Sequence, residues 1–231
     1  LFFKLNNMRN SLYPHDKAPR KDNWTGRDDG SAAEQQRWHQ VVELLELQET
    51  MDLQGSMVLL GFASDEGVRR NQGRVGAAAG PQVLRQVLGG LPVHFDAARR
   101  LVDLGDVCCE DQDLERAQAT LADAVCAIRA GSGFPIILGG GHELTYAHFK
   151  GLQKAQRGSI GIINIDAHLD LREPVAGAAN SGTGFYQIAE ACKLQGQAFH
   201  YLALGIQEIS NTKALFQRAE TLGVSIVSAH E

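Results

Sequence analysis

What the 231-residue sequence lacks excludes several classes of protein. No apolar run approaches the length of a membrane-spanning helix, and no signal-peptide pattern opens the chain. The formal net charge of −5 supplies no general attraction to nucleic acid or to an anionic membrane. The four cysteines match neither a zinc motif nor a disulfide framework in their spacing. These absences indicate a reduced, cytoplasmic protein without nucleic-acid or membrane partners.

The composition is that of a globular protein, with 44% hydrophobic and 21% charged residues. Residues 1–35 are polar and turn-rich, and we expect them to wrap the surface. Residues 1–7 precede the first methionine, Met8, and are left out of the fold prediction. No repeat or low-complexity linker divides residues 36–231, which we therefore expect to form one α/β domain.

Apolar runs alternate with helical patterns along this domain. Strands are predicted at residues 57–62, 100–104, 135–138, 159–165, 199–204 and 224–227. One helix is predicted from Leu114 to Gly131, and another from Gly80-Pro81 to Gly89-Gly90. Strands without an alternating polar face, separated by helices, predict a three-layer α/β/α fold with a central parallel sheet.

The stretch NIDAHLDLR, residues 164–172, places charged side chains at the end of an apolar strand. In an extended chain Asp166, His168 and Asp170 would share one face. Such groups, two of them anionic, repel one another unless a cation lies between them. A solvated charged loop is the alternative interpretation, but the D-x-H-x-D spacing after IGIINI favours a metal site.

His142 is the fourth predicted ligand and follows Gly139-Gly140-Gly141 at the end of another strand. The carboxyl ends of parallel strands meet at one edge of a sheet, so His142 is expected beside the carboxylates. A glycine turn could instead cradle a phosphate, but neither the Rossmann spacing nor the Lys-Ser/Thr of a P-loop is present. A purely structural histidine is the other alternative.

Carboxylates with one or two imidazoles and no thiolate suit Mn²⁺, with zinc or iron as competitors. Carboxylates can bridge two ions, and paired ions polarise a shared water into a hydroxide near neutral pH. We therefore expect hydrolysis by a metal-bound hydroxide, and we assign no side chain as the nucleophile.

The motifs GGGHE, DAHLD and DLGDV (residues 103–107) resemble the arginase–agmatinase–formiminoglutamase group of ureohydrolases. NQGRVGAAAGPQVLR, residues 71–85, resembles the glycine-rich segment before a helix in that group, and the likeness covers roughly residues 20–231. The resemblance implies an arginase-like fold and a binuclear manganese centre. Its ligands would be His142, Asp166, His168 and Asp170, with Asp166 bridging the ions.

Other residues make the sequence more similar to formiminoglutamases than to arginases or agmatinases. Gly141 and Glu143 replace the Asp and Ser of the usual G-G-D-H-S, and no histidine lies between His168 and His200. NSGTGFYQI, residues 180–188, stands there instead, although Gly184 replaces the usual proline. The resemblance implies hydrolysis of N-formimino-L-glutamate to L-glutamate and formamide, in histidine breakdown.

A small-molecule substrate with two carboxylates needs hydrogen-bond donors. Arg172 could bind one carboxylate through two parallel hydrogen bonds, and a surface ion pair is its alternative role. By analogy with the substrate loop of the subfamily, Asn180, Ser181 and Thr183 would bind the α-carboxylate; otherwise they are turn residues. A homo-oligomer is left open.

One family motif is missing, an Asp-x-Asp pair near the end of the domain. The sequence stops at VSIVSAHE, so we expect the C-terminal part of the domain to be absent from it. Two alternatives remain for the function. One is a ureohydrolase acting on another guanidino or amidino compound, and the other is a metal-poor, noncatalytic α/β protein.

Overall fold

The computed structural model describes residues 16–96, 98–156 and 158–230, so the excluded residues 1–7 lie outside it. The strands of this described chain are β1 (Asp16–Lys17), β2 (Glu43–Leu44), β3 (Met57–Ala63), β4 (Leu101–Cys108), β5 (Phe134–Gly139), β6 (Gly161–Ile165), β7 (His200–Ile206) and β8 (Ser225–Ser228). The α-helices are α1 (Trp38–Val41), α2 (Glu66–Arg70), α3 (Gly80–Gly89), α4 (Leu114–Ala130), α5 (Leu144–Ala155), α6 (Gly184–Leu194) and α7 (Lys213–Thr221). None of these helices is both long and apolar enough to cross a membrane.

The first sheet has the order β1-β4-β3-β5, and β2 also pairs with β4, at Val102 and Asp103. All its pairings are parallel except that of β1, which runs antiparallel to β4. Side chains of α4 and α5 pack on one face of β3 and β4. Trp24, α1 and α3 contribute to the core cluster on the other face. This part of the molecule therefore has the predicted three layers.

The second sheet contains β6, β7 and β8, all parallel. One face packs against residues of α5, α6 and α7, whereas Ile163 and Ile165 of β6 are 69% and 82% exposed. No ladder joins β5 to β6 among the described residues. The described strands thus form two sheets where the sequence predicted one, because an apolar run indicates a strand without indicating its neighbour.

Helix α5 connects the two sheets. It begins just after β5 and packs against α4 over the first sheet and against α6 over the second. Phe149 of α5 shares a core cluster with Phe185 of α6 and Tyr201 of β7. The carboxyl ends of β5 and β6 are thus held near each other without a direct hydrogen-bonded pairing.

The described residues of the N-terminal segment, 16–35, are exposed or half-buried with one exception. Trp24 is 2% exposed, and its indole nitrogen donates a 2.7 Å hydrogen bond to Asp103 Oδ2. β1 also adds to the edge of β4. The segment is therefore anchored to the first sheet and takes part in its core.

Candidate metal and substrate site

Three of the four predicted metal ligands form a compact cluster at the carboxyl ends of β5 and β6. His142 Nδ1 lies 2.5 Å from Asp170 Oδ2 and 3.9 Å from Asp166 Oδ2. One ligand atom from each of these residues lies within 4.8 Å of the others. A single cation could therefore contact all three side chains.

His168, the fourth predicted ligand, lies beside this cluster and is more exposed. Its Nδ1 is 3.2 Å from Asp166 Oδ1, whereas the other oxygen, Asp166 Oδ2, faces His142. The two oxygens of Asp166 thus face two different imidazoles. This is the arrangement that a carboxylate bridging two ions needs.

The ligands lie in a loop and not on an extended strand. β6 ends at Ile165, the Asp166 amide donates to Leu204 O, and the His168 amide turns back to Asp166 Oδ1 at 3.0 Å. Asp170 has a φ of 46°, in the left-handed region. The expectation that an extended backbone places the three side chains on one face is therefore wrong, although the turn still brings Asp166 and Asp170 together.

Asn211 fixes this loop through hydrogen bonds, a role that was not predicted from the sequence. Its Oδ1 accepts from the Leu169 amide at 2.9 Å, and its Nδ2 donates to Ala167 O at 2.8 Å. The same amide nitrogen donates to Gln207 O, just after β7. An asparagine shortly before a helix reads as an ordinary turn or cap residue, so the sequence carried no signal for this role.

The glycine turn positions His142 as predicted. The Gly140 amide donates to Phe62 O and the Gly141 amide to Ser64 O, which ties the turn to the end of β3. The imidazole packs edge-on against Phe185, with ring centroids 5.7 Å apart. Burial opposes protonation of this ring, but the hydrogen bond and charge of Asp170, aided by Asp166, raise the pKa of His142 above its ordinary value.

The next residue, Glu143, is completely buried. Its Oε1 accepts from Ser64 Oγ and from the Gly67 amide, both at 2.9 Å. Its Oε2 has no hydrogen-bond partner among the described residues. Burial raises the pKa of the Glu143 carboxyl, against the opposing effect of these hydrogen bonds.

Arg172 lines a cavity of about 520 Å³. The cavity also contains Arg70 and Arg218, but both are already paired, Arg70 with Glu66 and Arg218 with Glu173. Arg172 forms no ion pair within the described part of the chain, and its exposed side chain lies against Gly182. The surface ion pair considered as an alternative is therefore not seen.

The three predicted loop residues differ in what they can offer a substrate. Asn180 lines the cavity, and its Oδ1 accepts from the Gly182 amide, so its side-chain NH₂ is the group that could donate to a substrate. Ser181 Oγ accepts from Asn71 Nδ2, so its own proton remains free to donate. Thr183 is fully buried, and its hydroxyl bonds to Asn180 and Gln187. Of the three residues, Thr183 is therefore the least accessible to a substrate, because its hydroxyl already fixes the loop.

Comparisons with known proteins all point to one protein family. The model of the arginase family matches residues 55–231. A formimidoylglutamase from Cupriavidus pinatubonensis is 49% identical over 210 residues, which is 88% of this chain and 65% of that protein. A formimidoylglutamase from Aeromonas salmonicida is 46% identical over 204 residues, covering 87% of this chain and 63% of that protein. The chain thus spans just under two thirds of the length of these relatives.

Solved structures give the same result for the fold. A formiminoglutamase from Trypanosoma cruzi with Mn²⁺₂ superposes with a TM-score of 0.68 at 30% identity, over 76% of this chain and 60% of that one. A formimidoylglutamase from Bacillus subtilis also reaches a TM-score of 0.68, at 23% identity over 82% of this chain and 58% of that one. The α/β fold predicted from the sequence is confirmed as arginase-like.

Proposed function

The chain belongs to the arginase family, and on that premise we propose that the protein is a manganese-dependent formimidoylglutamase. The reaction is the hydrolysis of N-formimino-L-glutamate to L-glutamate and formamide, a step of histidine breakdown. The names of the relatives support this choice within the family. The observation that carries it is the position of Asp166, whose two oxygens face two different imidazoles.

The side chains of the cluster suit manganese. His142, Asp166, His168 and Asp170 offer hard carboxylate oxygens with two imidazoles, a set that favours Mn²⁺. Two such ions would supply the Lewis acidity that lets water act as a nucleophile near neutral pH. Asp166 would bridge them, while Phe185 and the glycine turn keep the ring of His142 oriented toward the carboxylates.

The cavity lined by Arg172 and Asn180 would hold the rest of the substrate; Arg172 lies two residues beyond Asp170 in the sequence. Arg172 would bind one carboxylate with two parallel hydrogen bonds, and Asn180 and Ser181 would donate to the other. The dianion would be attracted, whereas agmatine, a cation without a carboxylate, would be repelled. Activation of water by the metal ions would be common to the whole family. The substrate would therefore be selected by these hydrogen-bond donors.

The direct test is an assay of the Mn²⁺-loaded protein with N-formimino-L-glutamate, agmatine and L-arginine side by side. We expect release of glutamate and formamide from the first compound and little turnover of the other two. A clear preference for agmatine or arginine would assign the protein to another branch of the family. No turnover of any of them, with manganese bound, would support the noncatalytic alternative.

Replacement of Arg172 by alanine should weaken the use of formimino-glutamate. A hydrogen bond to a charged group contributes about 1.5–3 kcal/mol, so we expect kcat/KM to fall roughly 10- to 100-fold, mainly through KM. Arg172→Lys keeps the charge but not the paired hydrogen bonds and should lie between the two. Manganese content should be unchanged in both variants, and an unchanged kcat/KM for Arg172→Ala would contradict this role.

We also place the protein in the cytoplasm, with a small molecule as its partner. All four cysteines are free thiols in the structure, which is the state that a reducing compartment maintains. Labelling of the four thiols in freshly lysed cells would test this location.

A further inference from the structure

Glu143 lies at the junction of the metal cluster and the substrate loop. It follows His142 directly, and its carboxylate turns away from the cluster into the interior. There Oε1 accepts two hydrogen bonds, from Ser64 Oγ and from the Gly67 amide. The backbone of Glu143 is fixed as well, because Gln118 Nε2 donates to its carbonyl at 2.7 Å. The side chain therefore links the glycine turn to the start of α2.

The same residue of α2, Gly67, continues the link to the loop at residues 180–183. While the Gly67 amide donates to Glu143, the Gly67 carbonyl accepts from the Ser181 amide at 3.1 Å. Asn71, which follows α2, donates from Nδ2 to Ser181 Oγ. An unbroken series of hydrogen bonds thus runs from Glu143 through Gly67 to Ser181, one of the two substrate donors expected in the 180–183 loop.

The backbone is shaped to hold this carboxylate. A Cβ at Gly67 would lie only 2.5 Å from Glu143 Cδ, and a Cβ at Gly141 would overlap the carboxylate oxygens. The carboxyl group is therefore enclosed between two glycines on different segments. This explains why Gly141 and Glu143 depart together from the G-G-D-H-S pattern: a side chain at position 141 would take the space that Glu143 needs.

We propose that Glu143 is a positioning residue, which sets the distance between the metal cluster and the substrate donors of the 180–183 loop. It does not touch substrate or metal; it acts through Gly67 on Ser181. The kinetic part of this inference rests on the proposed function, whereas the link between Glu143 and the loop can be tested without turnover.

The first test measures amide hydrogen exchange in the whole chain without substrate. Glu143→Ala should raise the exchange rate of the Gly67 and Ser181 amides about tenfold or more, because the acceptor that orders this peptide is lost. Glu143→Gln keeps the acceptor oxygen and should restore slow exchange. Leu121→Ala, a truncation in the buried face of α4, is the control for general destabilisation and should leave these two amides protected. Unchanged exchange at Ser181 in Glu143→Ala would overturn the proposal.

If Glu143→Ala does not fold, Glu143→Asp replaces it in the exchange measurement. The shorter side chain retains the charge but reaches the Gly67 amide poorly, so exchange at Ser181 should again rise. A folded Glu143→Asp variant with wild-type exchange would overturn the proposal just as well.

The second test is kinetic. In Glu143→Ala the KM for formimino-glutamate should rise about tenfold, which corresponds to roughly 1.4 kcal/mol, while kcat stays within about threefold and manganese content is normal. Glu143→Gln should restore KM, a rescue that a loss of general stability would not show. If exchange responds but the wild-type protein does not hydrolyse formimino-glutamate, the proposed function fails and the link stands. If neither KM nor the amide exchange rates change in the Glu143 variants, the positioning role fails and the proposed function stands.

Discussion

Asp170 combines a proposed ligand role with an unusual backbone conformation. Its φ of 46° lies in the left-handed region, which residues other than glycine, asparagine and aspartate rarely adopt. This conformation turns its carboxylate back toward His142, 2.5 Å away. A side chain that is both tolerant of this backbone and able to bind a cation is therefore required here, and aspartate meets both conditions.

The bridging role proposed for Asp166 leads to a prediction for a single substitution. Asp166→Asn keeps an oxygen that can accept from the His168 amide, so the loop should retain its shape and the protein its fold. The amide is neutral and binds a cation weakly, so we expect less bound manganese and a loss of turnover on the order of 100-fold or more.

Elemental analysis, circular dichroism and the formimino-glutamate assay together check this expectation. Asp123→Asn on the exposed surface of α4 is a control of the same chemistry and should behave like the wild type. Near-normal activity of a folded, metal-depleted Asp166→Asn protein would rule out metal-assisted hydrolysis.

At this scale the sequence was informative about residue types and poor about geometry. D-x-H-x-D and the glycine turn were enough to identify the four candidate ligands. They could not show that Thr183 is buried, or that Asn211 holds the ligand loop, because both depend on contacts between residues distant in sequence. Glu143 was noticed only as a departure from a pattern, since its hydrogen bonds reach 76 and 79 positions along the chain.

Among the secondary-structure elements, α3 and β4 are joined by a buried ion pair. The Arg85 guanidinium donates to both oxygens of Asp103 at 2.8 Å, and it also reaches Asp106 and Gly105 O. Arg85 and Asp103 are 1% and 0% exposed. The DLGDV motif thus serves here to attach α3 and, through Trp24, the N-terminal segment to the first sheet.

Replacement of Arg85 by methionine should destabilise the fold strongly. Loss of one partner leaves Asp103 buried without its counter-charge, which costs about 3–5 kcal/mol. Arg100→Met breaks the exposed pair with Glu43 at the start of the same strand and is the matched control, with an expected loss of about 0–1 kcal/mol. Denaturant titration of both variants gives the comparison. An equal loss in the two proteins would show that the buried pair has no special role.

Helices and strands were predicted well where the hydrophobic pattern alone determines them. α4 and α3 begin and end within a residue or two of the predicted positions, because the apolar spacing, Pro81 and the terminal glycines mark them. β4 extends to Cys108, beyond the predicted residue 104, past Gly105 at a φ of 82°. Strand pairing and the antiparallel β1 could not be predicted, since local pattern does not encode neighbours.

At the scale of the whole molecule, β6 presents an apolar edge and face to solvent. Ile163 and Ile165 point outward on a strand that pairs on one side only among the described residues. Exposed apolar strand edges promote association between chains. We therefore expect concentration-dependent light scattering that decreases in the double variant Ile163→Lys/Ile165→Lys.

Ile209→Lys is the control, because Ile209 is 95% exposed but lies in a short 3-10 helix after β7 and not on β6. The control should scatter like the wild type, and the double variant should retain its melting temperature within a few degrees of the wild type. Equal scattering by all three proteins would show that β6 does not mediate association.

The placement of the candidate metal ligands on two sheets has a consequence for folding cooperativity. His142 extends from the first sheet and Asp166 and Asp170 from the second, and α5 packs against helices of both halves. A cation bound by all three would act as a cross-link between two separately hydrogen-bonded halves. Ligand binding stabilises the states that contain the complete site. Loading the site would therefore merge the unfolding of the two halves into a single transition, and chelation would allow the second sheet to open while the first remains folded.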